Sequence, residues 1–123
     1  MTWEIRQATE ADLPAVLGLY AQTSMDDGQV LTLSQAKSIF TEFSQYPNYR
    51  LFVIVNRSKG ALTADESILG SYALLIMHNL AHQGTPSAIV EDVVVSEPYQ
   101  SHGVGRAMMQ HAMEQARQAG CYK

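Results

Sequence analysis

A mixed α/β domain is the architecture expected of this 123-residue chain. Three features carry the expectation. Apolar runs of strand type lie at 3–8, 51–55, 68–80 and 88–95. Two segments of helical periodicity separate the first run from the second, and a third follows the last. Clusters of Gly, Pro, Asp and Ser punctuate the joins.

Taken in order, Trp3, Ile5 and Gln7 alternate with Glu4, Arg6 and Ala8, the pattern of a first strand. Thr9 is placed to cap a helix, with Glu10 and Asp12 at the end of the dipole that favours acids. Pro14 is tolerated there, and Leu13, Val16, Leu17 and Tyr20 recur at helical spacing to about Ser24. Turn residues 24–29 follow. A second helix is expected after Thr32 or Ser34, with Ala36, Ile39, Phe40 and Phe43 on its apolar side and Pro47 beyond its end. Leu51 to Val55 is a strand, Asn56 to Glu66 a hairpin loop, and Ile68 to Leu80 a long apolar strand. His82 to Pro86 turns the chain into a further strand, Ala88 to Val95, whose consecutive Val93, Val94 and Val95 suggest burial on both faces. Gly103 to Ala119 is a helix ended by Gly120, a residue suited to the left-handed C-cap. Cys121, Tyr122 and Lys123 read as the start of one more strand. The order is β-α-α-β-β-β-α-β around a mixed sheet, in one domain over 1–123.

Composition narrows the function. At 46% hydrophobic and 16% charged residues the chain can bury a core and is not of disordered type. Eight basic against 12 acidic residues give a net charge of −4, against a general nucleic-acid binder. One cysteine excludes an intrachain disulfide framework and a Cys-rich zinc site, and fits a reducing compartment. The N-terminus has no secretory pattern, and the run from Ile68 to Met77 is too short to span a bilayer. A soluble cytoplasmic protein, with no metal and no membrane partner, is the expectation.

The chemistry concentrates where a valine-rich strand ends, a short loop follows and a helix opens on two glycines. A helix start offers unpaired N–H groups and positive potential to phosphate oxygens. Gly103 and Gly105 clear side chains from the approach, and Arg106 adds charge. A tight strand-to-helix turn is the structural alternative. The sequence lacks a P-loop pattern, and Met108 stands where a dinucleotide fingerprint needs a small residue.

Gln100-Ser101-His102-Gly103-Val104-Gly105 resembles the Q/R-x-x-G-x-G/A pyrophosphate loop of the GNAT superfamily of N-acetyltransferases. Glu91-Asp92-Val93-Val94-Val95 resembles that family's fourth strand, and the element order is similar from Trp3 to Cys121. The stretch Ile89 to Val95, with Gly120 to Lys123, is similar to the glucosamine-phosphate acetyltransferase branch and to many bacterial members of unassigned substrate. The amino sugar is not inferred from it.

The resemblance implies a GNAT-like acyl-CoA N-acyltransferase fold, with acetyl-CoA as co-substrate and a primary amine of a small molecule or peptide as acceptor. It implies that backbone groups of Val93, Val94 and Val95 pair with the pantetheine arm. The N–H groups of Gln100, Ser101, His102, Gly103, Val104, Gly105 and Arg106 would hold the pyrophosphate. Backbone N–H near Val93 would polarise the thioester carbonyl. Glu91 or Asp92 would take the amine proton. On a regular strand the two point to opposite faces, and Glu91 is preferred because its place matches an acidic position often used in the family. Strand-end carboxylates pairing with backbone or arginine are the alternative.

Members of the family usually continue for a few dozen residues, completing a fifth strand and adding a helix and a hairpin. That helix commonly carries a tyrosine that protonates the thiolate, which Tyr122 does not match. The chain is thus expected to be a C-terminally incomplete domain: a fragment, one completed by a second chain, or one without activity. An uncovered fourth strand invites homodimerisation through the sheet edge. A non-catalytic acyl-CoA-binding or interaction module that keeps only the pyrophosphate loop is the competing function.

Other residues read blandly. His78 and His82 are solvated strand-end histidines, His102 lies beside the cofactor or on the loop surface, and His111 belongs on the exposed side of the last helix. Cys121 packs. Met25, Asp26 and Asp27 form a solvated turn, or, by the resemblance, border the acceptor site and attract a cationic amine. Tyr72, Met108, Met109 and Met113 are core or slot lining.

Overall fold

The computed structural model describes residues 2–58 and 67–123. Its strands are β1 (Trp3–Gln7), β2 (Tyr49–Asn56), β3 (Ile68–Met77) and β4 (Ser87–Val95). Its helices are α1 (Leu13–Ala21), α2 (Leu33–Phe43) and α3 (Val104–Gln118). The loop expected after Asn56 lies, from residue 59 to 66, outside the described residues.

The strands form one sheet in the order β1-β2-β3-β4, every neighbouring pair antiparallel. This corrects the expected mixed sheet. The last three residues add only two bonds beside the start of β4. The Tyr122 N–H donates to the Pro86 carbonyl at 3.0 Å, and the Ala88 N–H donates to the Lys123 carbonyl at 2.8 Å. They run in the direction of β4 without forming a ladder.

Period-2 alternation divides the core. Leu51, Val53 and Val55 of β2 join Ala73 and Val94 under α1 and α2, through Leu13, Val16, Leu19 and Ala36. Phe52 and Ile54 face the other way, joining Leu69, Tyr72, Leu74 and Ile76 beneath Val104, Met108 and Ala112 of α3. Helix α3 can approach closely because β3 carries Gly70 there. A Cβ at that position would lie 2.8 Å from the Val94 carbonyl oxygen and 3.0 Å from the Met108 methyl carbon.

The helix ends follow local chemistry. Thr32 caps α2: the Gln35 N–H donates to its hydroxyl oxygen, and the Thr32 N–H donates to Gln35 Oε1. Helix α3 closes as expected at left-handed Gly120, with Cys121 N–H on the Ala116 carbonyl and Gly120 N–H on that of Arg117. Thr9 heads a short 3-10 turn, Glu10–Asp12, before α1. The Asp12 carboxylate is buried and fully engaged. It accepts from Arg6 at 2.7 and 2.9 Å, from the Thr9 N–H at 2.7 Å and from the Thr9 hydroxyl at 3.2 Å. Helix α1 stops at Ala21, three residues short of expectation, because 22–28 turn sharply and Asp27 and Gly28 take positive φ.

Candidate active site

Strand β4 is irregular where it carries its two acids. Between the pairs Ser71–Val94 and Ala73–Glu91, β3 spends one residue and β4 two. Asp92 absorbs the mismatch with a φ of 55°, so the strand bulges. The bulge removes the alternation expected of Glu91 and Asp92. Glu91 stands opposite Ala73, which packs under α1 and α2. Asp92 lines a cavity on that same face. Both negative charges push the Tyr49 phenol upward, after its burial, which is the larger cause. The carboxylates therefore share a side of the sheet, and Asp92 is the one at the cavity. The expectation that the valine run is buried on both faces is also corrected: Val94 is buried, but Val93 is 40% exposed beside the bulge.

The cavity holds about 260 Å3 between α1, α2 and the sheet. Its walls include Leu17, Tyr20, Phe40, Phe43 and Tyr49, with Asp92 as the acidic group. Burial and the Asp92 charge hold the Tyr20 phenol up at about 12. Phe43 stacks on Tyr49 with ring centroids 4.4 Å apart. A second depression of about 200 Å3 shares Leu17, Tyr20, Leu31 and Asp92, and extends to Met25, Asp26 and Gln29. Asp26 thus faces the same space as Asp92, whereas Asp27 does not line it. The cavity walls were not legible as site residues. Their helical spacing signals core, and only the bulge makes that core border a carboxylate.

Past the C-terminal end of β4, residues 100–106 lead into α3. Ser101 and the N-cap Gly103 have φ of 64° and 88°. Left-handed residues at a helix start turn successive N–H groups to one side, the geometry of an anion nest. Val104, Gly105 and Arg106 are the first helical residues, so their N–H groups have no intrahelical acceptor. Val104 is buried, while Ser101, His102 and Arg106 are exposed. A Cβ on Gly105 would meet Val95 Cγ2 at 3.7 Å, an ordinary contact. The fold itself therefore does not require glycine at 105. The Gln100 side-chain amide donates to the Val95 carbonyl at 3.4 Å. His102 Nδ1 lies 2.8 Å from the Gln100 carbonyl oxygen, which can only accept, so this nitrogen donates. The Glu97 N–H donates to the Gln22 side-chain oxygen at 2.8 Å, tying this connection to the end of α1. Strand β4 thus joins the nest to the bulge, and its outer edge carries no strand among the described residues. These features fit a phosphate-bearing ligand laid along that edge.

His111 is not on the exposed side of its helix. Its Nδ1 shares a 2.7 Å hydrogen bond with the Tyr72 hydroxyl, and its ring stands edge-on to Phe52. Burial, then the nearby Arg50 charge, lowers its pKa. Burial also pushes the Tyr72 phenol up to about 12. Met108 is core, but Met109 and Met113 are exposed. His82 packs on the Tyr122 ring at 4.3 Å. Among the described residues no group of three His, Cys, Asp or Glu could hold a metal ion, and no helix is long and apolar enough to cross a membrane.

Three comparisons bear on this arrangement. Residues 17–123 match a family model described as the acetyltransferase (GNAT) family. A glucosamine 6-phosphate N-acetyltransferase of Trypanosoma brucei brucei is 38% identical over 56 residues, which cover 46% of this chain and only 38% of that relative's length. Among solved structures, an acetyltransferase of Trypanosoma brucei superposes with a TM-score of 0.80 at 26% identity, covering 99% of this chain and 80% of that one. The glucosamine-6-phosphate N-acetyltransferase of Arabidopsis thaliana superposes with a TM-score of 0.81 at 20% identity, over 100% of this chain and 80% of that one. At that identity the likeness is one of fold.

Proposed function

The chain belongs to the acetyltransferase (GNAT) family, and on that footing we propose that it transfers the acetyl group of acetyl-CoA to a primary amine. The observation that carries the reading is the placement of β4. Its C-terminal end leads into the nest of residues 100–106, and its bulge turns Asp92 into a cavity on the opposite face of the sheet from that nest's helix.

In this reading the N–H groups of Val104, Gly105 and Arg106 receive the pyrophosphate, with Ser101 and Gly103 shaping the turn and Arg106 adding charge. The outer backbone groups of Val93, Val94 and Val95 pair with the pantetheine arm as an added strand would. Bound acetyl-CoA supplies an activated thioester. A backbone N–H at the bulge, near Val93, is the donor toward the carbonyl oxygen as it gains charge. Asp92 holds the incoming ammonium and takes its proton, directly or through water. The free amine then attacks the thioester carbonyl, the C–S bond breaks as the amide forms, and the coenzyme leaves as a thiolate that takes a proton from solvent. Glu91, on the same face but outside the cavity walls, contributes negative potential. This reverses the preference between the two acids, because the bulge sets the direction of the side chains.

The test is thiol release from acetyl-CoA on a panel of primary amines, with the acetylated product identified by mass. Amine-dependent release is the expected result. Saturable coenzyme binding with no release on any amine would instead favour a binding module.

A further inference from the structure

We propose that the acceptor is a small cationic amine on an apolar body, aromatic or branched aliphatic, and not a phosphorylated amino sugar. The inference deepens the acetyl-transfer reading and rests on it for the role of the amine as acceptor.

The cavity is walled by side chains such as Leu17, Tyr20, Phe40 and Tyr49. Its volume of about 260 Å3 is somewhat below the ~300–1,000 Å3 of sites for drug-sized ligands, which suits a small molecule. Charge complementarity selects the head group. Asp92 borders both this cavity and the adjoining depression, where Asp26 joins it. No lysine, arginine or histidine is among the described lining residues of either space. A phosphate dianion placed there would lose its hydration and meet like charge. A sugar would set most of its hydroxyls against aliphatic and phenyl walls, with the Tyr20 and Tyr49 phenols and Asp92 as the few polar groups of the larger space. An ammonium on an apolar body meets the reverse conditions: a carboxylate for the charge and apolar walls for the remainder. Specificity thus separates from the relatives named for glucosamine 6-phosphate, although the fold is shared.

The probes are phenethylamine and glucosamine 6-phosphate, each titrated calorimetrically into the whole chain. A third titration uses acetyl-CoA. Ile39→Lys is the test variant, because Ile39 lines the cavity yet is 48% exposed, so a lysine is accommodated without unfolding. Phenethylamine should bind about tenfold or more tighter than the sugar phosphate, and Ile39→Lys should weaken it about tenfold without weakening the sugar phosphate. Absent phenethylamine binding, equal affinities, a preference for the sugar phosphate, or a variant with unchanged affinities would overturn the inference. Failure of acetyl-CoA to bind while the amine preference persists would sink the acetyl-transfer reading and leave the selectivity of the cavity standing.

Discussion

Asp12 is the residue on which the N-terminal half turns. Its carboxylate ends a fork from Arg6 and accepts two bonds from Thr9. These bonds, the Arg6 fork foremost, hold its pKa below the usual carboxylate value of 3.8 despite its burial. Asp12→Ala would strand a part-buried guanidinium, which should cost about 2–4 kcal/mol by urea denaturation. A loss no larger than that of an exposed ion pair would refute this role. His111 sets a different pH window. Its folded-state pKa lies below the unfolded 6.5. Above 6.5 both states are neutral there and stability is full. As pH falls below about 6.5 the unfolded chain takes a proton that the folded one refuses, and stability drops until the lower folded value is passed. The Asp12 contribution, by contrast, persists until the pH falls below 3.8, because its folded pKa is the depressed one. His111→Gln should flatten the stability profile just below pH 6.5, and a slope unchanged in that variant would assign it elsewhere. Neither residue's role was legible. Arg6 alternates outward and Asp12 reads as a first-turn acid, so nothing local announces their pairing. His111 occupies a helix position whose neighbours, Gln110 and Glu114, suggest solvent.

At the scale of elements, the bulge in β4 decides the site. Strand existence was readable from apolar runs, and helix ends from Thr32, Gly103 and Gly120. The bulge was not, because an aspartate tolerates the left-handed φ of 55° that Asp92 takes but does not announce it, and the register with β3 decides where the extra residue falls. The consequence is a difference between two neighbouring acids. Asp92→Asn should lower kcat/KM by about 10²-fold, whereas Glu91→Gln should cost roughly tenfold or less. Steady-state assays of both variants on the best amine check this, and equal or reversed losses would refute the assignment of the base to Asp92. The failure to foresee a purely antiparallel sheet has a simple cause. A β-α pattern predicts a parallel return, but a return needs a ladder, and residues 121–123 supply two hydrogen bonds.

For the whole molecule, layer order was the most legible feature. Period-2 alternation in β2 divides α1 and α2 from α3, and any sequence with Leu51, Val53 and Val55 against Phe52 and Ile54 must cover both faces. The outer edge of β4 pairs with no strand among the described residues. Ile89 and Val93 on the strand, and Met109 and Met113 on α3, are exposed together with Tyr122. An uncovered apolar edge pairs with what it meets. The 123-residue chain should therefore self-associate, and a monodisperse monomer by light scattering across a wide concentration range would contradict that expectation.

The central claim is that residues 100–106 form a working pyrophosphate site. Titration of acetyl-CoA into the wild-type chain and into Gly105→Ala tests it most directly. The fold has room for the added methyl, whose nearest neighbour is an ordinary contact 3.7 Å away, so stability should be nearly unchanged. Saturable binding in the micromolar range, weakened about tenfold or more by that one methyl while the thermal midpoint holds, is the expected result. Absence of binding by a folded wild-type chain, or equal affinities in the two proteins, would mean that these glycines shape a turn and nothing more.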